Sequence, residues 1–125
     1  MSSGRRIFGP GPDMLLCDGR PVAAVMVAED SVSRGRGLLG TDGVEGALWI
    51  TRCPSVHMVG MRYPIDVAVV DRNGQVLDVK TLRPWIGGTL PRRGATDTVE
   101  AAAGAMGAWA VRVGSVLAVA RRSIS

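Results

Sequence analysis

The chain has 125 residues, 15 Lys and Arg against 11 Asp and Glu, a net charge of +4 and a hydrophobic fraction of 46%. This length fits one domain and excludes two independent cores, while the apolar content excludes intrinsic disorder. The longest apolar runs, Val22–Val27 and Ile65–Val70, fall far short of the roughly 20 residues that cross a bilayer. Gly9-Pro10-Gly11-Pro12 occupies the place where a secretory signal would need its apolar core.

In chain order, residues 1–12 read as a flexible lead-in, with Gly and Pro opposing regular structure. Residues 13–125 read as a single β-rich domain. Met14-Leu15-Leu16-Cys17 and Val22–Val27 flank the turn signal Asp18-Gly19 and predict a hairpin. The period changes over Asp30–Leu39, where Asp30 or Ser31 can cap a helix and Gly40 can stop it. Gly35 and Gly37 inside this stretch each cost about 1 kcal/mol against Ala, so the helix is short.

From Ala47 onward the pattern is β. Ala47–Ile50, Val56–Met61, Ile65–Asp71 and Val76–Leu82 predict four strands. Between the last two, a three-residue loop with Asp71 leading a type I turn and Gly74 left-handed aligns Ile65, Val67 and Val69 with Leu77 and Val79. Asp66 then shares a face with Asp78 and Lys80. Pro84–Ala95 reads as an irregular loop, Thr98–Ala102 and Val116–Ala120 as strands, and Ala105–Trp109 as one helical turn. The expected architecture is α+β: a mostly antiparallel sheet or partly closed barrel with one or two short helices.

Reactive side chains concentrate at Cys53, His57, Arg62 and Asp66. A thiolate nucleophile needs a base within hydrogen-bond reach, whereas Cys53-Pro54 holds an extended backbone at the cysteine. Cys53 therefore reads as an inert thiol. His57 lies in a segment apolar on both faces and reads first as a packing residue, with an acid–base role beside Asp66 as the alternative. Arg62 and Asp66 flank Tyr63-Pro64 and read as a corner brace. One histidine and two distant cysteines do not complete a zinc set, so no metal and no cofactor are expected. Lys80 is the sole lysine, and such arginine usage suits oxyanions, but no basic stripe or aromatic platform favours nucleic acid.

The stretch from Val25 to about Val119 resembles the prokaryotic domain-of-unknown-function family 192. Ser33-Arg34-Gly35-Arg36-Gly37-Leu38-Leu39-Gly40-Thr41 is similar to that family's arginine-led short helix and its Gly-Leu-Met-Gly-Arg-like ending. Gly46-Ala47-Leu48-Trp49 looks like the following strand, and Pro64-Ile65-Asp66 with Asp71-Arg72-Asn73-Gly74 like its central one. Val99-Glu100-Ala101 with Gly104 looks like the closing Leu-Glu-x-x-x-Gly. His57-Met58-Val59-Gly60-Met61 stands where Trp-Met-x-Asn-Thr is usual. The resemblance implies a compact β-rich fold and no established reaction, ligand or cofactor.

The reading is a small bacterial, cytoplasmic, non-catalytic binding or accessory protein. Its expected recess is formed by Arg34, His57, Arg62, Asp66 and Trp85, open to a small-molecule or anionic ligand and not to a membrane. The alternatives are a small enzyme using His57 and Asp66, or an arginine-driven binder of nucleic acid or another anionic partner.

Overall fold

The computed structural model describes residues 4–121. The first three residues of the expected lead-in and the last four of the expected domain lie outside them. The elements in order are β1 (Ile7–Phe8), β2 (Asp13–Cys17), β3 (Arg20–Ala28), α1 (Ser31–Arg36), β4 (Gly43–Val44) and β5 (Ala47–Ile50). They continue as β6 (Ile65–Asp71), β7 (Val76–Leu82), β8 (Ala95–Ala102), α2 (Ala105–Ala108) and β9 (Leu117–Ala120). The fold is α+β, mostly strand with two short helices.

Seven strands form one sheet in the order β7-β6-β8-β5-β3-β2-β9, antiparallel except for the parallel β3–β5 pair. The sheet curls into a half-barrel. Its two outer strands approach through a bridge between Gln75 and Val116 and the bonds Val76 N–H to Ser115 O and Leu117 N–H to Gly74 O, both 2.8 Å.

Side chains alternate across the pleat, and both faces are apolar. The inner face gathers Leu15, Val25, Trp49, Ala68, Val70, Val99, Ala101 and Leu117, closed at one end by Met106 of α2. The outer face gathers Leu48, Ile50, Ile65, Val67, Val69 and Leu82, covered by Leu38, Met58 and Met61. A strand buried on both sides reads as a continuous apolar run, which is why β6 is legible to the residue in the sequence.

Four expectations change. The lead-in is not wholly irregular: Ile7–Phe8 pairs in parallel with Gly43–Val44, and Phe8 packs on the outer cluster. The helix ends at Arg36, earlier than expected, because Gly37 adopts φ 52° and donates its N–H to Ser33 O. Asp30 is its cap, accepting the Ser33 N–H at 2.7 Å. Val56–Met61 forms no strand beyond a single bridge from His57 to Gly88. Its backbone is instead held by the loop after β7, through Met58 N–H to Gly87 O and Thr89 N–H to Val56 O.

The fourth change concerns register. The loop between β6 and β7 is the expected one, with Gly74 N–H to Asp71 O at 2.9 Å and Gly74 at φ 81°. A bulge then follows: Val70 pairs with Val76, but Val69 pairs with Asp78, leaving Leu77 unopposed. One extra residue moves the rest of β7 to the other face. Ala68 therefore faces Val79, and Asp66 lies opposite Thr81 rather than beside Lys80.

Gly74 joins the two outer strands and has no room for a side chain, since an added Cβ would overlap the Leu117 carbonyl oxygen. Gly74→Ala should therefore lose more than about 2 kcal/mol of stability, measured by urea unfolding.

Candidate functional site

β8 lies in the middle of the sheet, between β6 and β5. Val99 and Ala101 point to the inner core, so Thr98 and Glu100 point outward. Glu100 is flanked by Leu48 on β5 and Val67 on β6. Above them lie α1 and the segment after β5, so this acid is only 5% exposed. Its carboxyl makes no hydrogen bond or salt bridge among the described residues. Burial alone pushes its pKa up from 4.5 to about 7. On the same face of β8, the buried Thr98 Oγ1 also lacks a hydrogen-bond partner.

Over this carboxyl the structure opens a cavity of about 130 Å³. Leu38, Ile50, Met58, Met61 and Ile65 supply apolar wall, and Arg34, Arg36, Cys53 and His57 supply polar groups. The turn that ends α1 lies against the acid: a Cβ on Gly37 would sit 3.8 Å from Glu100 Oε1. Arg34 is fixed by α1 and by two carbonyls just past β5, donating Nε–H to Thr51 O and Nη2–H to Arg52 O, each at 2.7 Å. That leaves its other amino group, Nη1, uncommitted to either bond. Arg36 is exposed and makes no ion pair among the described residues. Cys53 Sγ donates to Ser55 O at 3.3 Å. No positive charge offsets the burial of Glu100, since desolvation is the only cause of its shift. Nearby, burial pushes the Tyr63 hydroxyl above its ordinary range, against its 2.7 Å hydrogen bond with Thr41; the Glu100 charge adds to the rise.

Two of the five expected site residues, Arg34 and His57, line this cavity. Arg62 is exposed and reaches away to Asp42 Oδ1 at 3.0 Å. The Asp42 carboxyl is held below its usual range, first by the Arg6 N–H and then by Arg62. Trp85 is exposed on the loop after β7, with its N–H on Met58 O. Asp66 points to the inner face of β6, away from His57. Its carboxylate accepts from Thr81 Oγ1 at 2.6 Å and from the N–H groups of Gly104 and Met106 at 3.0 Å each. There it fastens α2 across the end of the half-barrel. Among the described residues no three His, Cys, Asp or Glu side chains gather into a metal-sized cluster.

Glu100 is the residue that reasoning on isolated side chains passes over. In Thr98-Val99-Glu100-Ala101 the alternation reads as an ordinary strand with a polar outward face. The signal was the placement of Glu100 in the family-like Leu-Glu-x-x-x-Gly pattern.

Two consequences can be measured. Glu100 holds its proton more tightly folded than unfolded. Its contribution therefore favours the fold below pH 4.5 and is lost as pH rises through about 7. At about 1.36 kcal/mol per pH unit the whole change is roughly 3 kcal/mol. Urea unfolding of Glu100→Gln between pH 5 and 8 should lack that decline, leaving the variant closer to or above the native chain at pH 8. Asp66→Ala strands two N–H groups beneath α2 and should cost about 2–4 kcal/mol by the same assay.

No helix of the described residues is long and apolar enough to cross a membrane. Two solved structures share the fold. One is a protein of unknown function from Novosphingobium aromaticivorans, 19% identical, with a TM-score of 0.65 over 77% of this chain and 74% of that one. The other, from Sinorhizobium meliloti, is described as a "putative transcription regulator" and is 16% identical, with a TM-score of 0.65 over 86% of this chain and 92% of that one. No curated protein matches this chain. The profile of family DUF192, uncharacterized ACR, matches residues 15–119. That span starts ten residues before the resemblance read from motifs, and takes in the β2–β3 hairpin. With so much of its length matched, the chain belongs to the DUF192 family.

Proposed function

We propose that this chain is a non-catalytic binding domain whose recess, floored by Glu100, receives a small molecule. The observation that carries this reading is a buried carboxyl with no partner among the described residues, in the lining of a cavity with an open mouth. Burying an acid without a partner costs stability. A fold gains nothing from it unless something else completes the site.

The alternatives have less support. An acid–base pair of His57 and Asp66 would need the two on one side of the sheet, whereas the Asp66 oxygens are taken up by Thr81 and α2. For a nucleic-acid partner, arginines free to meet phosphate are needed. Arg62, Arg92 and Arg121 already face carboxylates, at 3.0, 3.8 and 3.1 Å; Arg36, Arg72, Arg83 and Arg93 are exposed, but they stand on separate segments, α1, the β6–β7 loop and the loop after β7, and not along one helix or strand. The likeness to a described transcription regulator adds only the fold.

Thermal-shift measurement against a library of small polar metabolites tests the reading. A ligand at a hundredfold excess over Kd adds about 2.7 kcal/mol, a shift of several degrees. At least one compound should raise the melting temperature of the native chain and leave Glu100→Leu unmoved. A library without any hit, or hits that act equally on Glu100→Leu, would remove this cavity as the binding site.

A further inference from the structure

We propose that the recess binds a short linear ω-amino acid, entered ammonium first, with the ammonium on Glu100 and the carboxylate at the mouth beside Arg36 and the open edge of Arg34. This rests on the binding reading above and adds the chemical class of the ligand.

Three features of the site converge on that class. First, the floor offers acceptors only. An ionised Glu100 has two oxygens and no donor to satisfy it among the described residues, so the group that meets it must donate. An ammonium does so with a full charge, in a setting where charge-assisted bonds are strongest. A carboxylate arriving there would meet a like charge or require Glu100 to stay protonated.

Second, the polarity reverses toward the mouth. The charged groups near Glu100 are Arg34 and Arg36 from α1, and the remaining titratable ones are Cys53, His57 and Tyr63 from the segment after β5. The flanking strands place apolar Leu48 and Val67 directly beside it, with Ile50 and Ile65 next along the wall. A buried acid and an exposed arginine, Arg36, thus line the same cavity, the complement of a dipolar ligand. Arg34 is pre-positioned by its two carbonyl bonds, which lowers the cost of fixing a long side chain on binding.

Third, the space between the two ends is apolar and small. Leu38, Ile50, Met58 and Ile65 suit methylenes. A volume of about 130 Å³ is near the roughly 150 Å³ that holds a benzene-sized guest. That admits a nitrogen and three to five carbons, leaving the carboxylate outside.

Isothermal titration of the full chain with glycine, 4-aminobutyrate, 6-aminohexanoate, butylamine and butyrate, at pH 5.5 and pH 8, tests the assignment. 4-Aminobutyrate or 6-aminohexanoate should bind at least tenfold more tightly than glycine or butylamine, and butyrate should give no heat. Affinity should rise from pH 5.5 to pH 8, because the ammonium needs the ionised acid. Glu100→Gln should lose at least tenfold while keeping its unfolding transition. Arg36→Ala should weaken the amino acids and leave butylamine unchanged. Butyrate binding as well as 4-aminobutyrate, affinity falling toward pH 8, or no binding by any amine would overturn the assignment. If a library compound without an amine still gives a Glu100-dependent thermal shift, the ligand class is wrong and the binding reading stands. If nothing acts through Glu100, both fall.

Discussion

The structure is organised by the position of β8 in the interior of a sheet that is covered on both faces. A central strand pairs its backbone on both edges, with β6 and with β5, and so its side chains have only the two faces to occupy. One face belongs to the inside of the half-barrel and the other lies beneath α1 and the segment after β5. Thr98, Val99, Glu100 and Ala101 are all buried there. A glutamate on the outer face of such a strand is therefore largely desolvated, whatever its own preference. The cover over it stops short of closing, and the gap that remains is the cavity. Burial, proton affinity and binding capacity at Glu100 all derive from this one placement.

The two buried acids of the molecule show how partners decide what a carboxylate does. Asp66 and Glu100 have almost the same exposure, 3% and 5%. Asp66 accepts three hydrogen bonds and ties α2 to β6 as a structural fastening. Glu100 has no such donors among the described residues, and desolvation raises its pKa. They sit on opposite faces of neighbouring strands. A carboxylate that is fully hydrogen-bonded has little left for a ligand, and one with none has its whole capacity to offer.

The cover is made from segments with weak intrinsic order. α1 has six residues and includes Gly35, and the chain after β5 forms a single bridge. Their placement depends on specific ties: Asp30 capping α1, Arg34 reaching the carbonyls of Thr51 and Arg52, and Met58 exchanging backbone bonds with Gly87 and Trp85. Elements of this sort hold position through side-chain and loop contacts, so they shape a site without needing long-range regularity. The Arg34 clamp joins the helix to the end of β5, and thereby sets how far the mouth stands open.

By itself the sequence determined the β-rich class, the β2–β3 hairpin, the limits of β5, β6 and β7, and the loop at Asp71–Gly74, since each rests on neighbours a few residues apart: alternation, turn chemistry and caps. Of the polar residues it singled out, Arg34 and His57 line the cavity. The bulge at Leu77 escaped it, because a one-residue slip is set by how β7 packs against β6 and carries no local mark. The expected Arg62–Asp66 brace of the corner does not form: Arg62 pairs with Asp42, and Asp66 fastens α2 through Gly104 and Met106, 38 and 40 residues away, a pairing that no local pattern marks. In the sequence Glu100 reads only as part of the Thr98–Ala102 strand and of the family-like closing motif. Only the tertiary structure laid an apolar cover over that strand's outer face, and the desolvation of an ionisable group is a property of what surrounds it in space, which residue order along a chain does not contain.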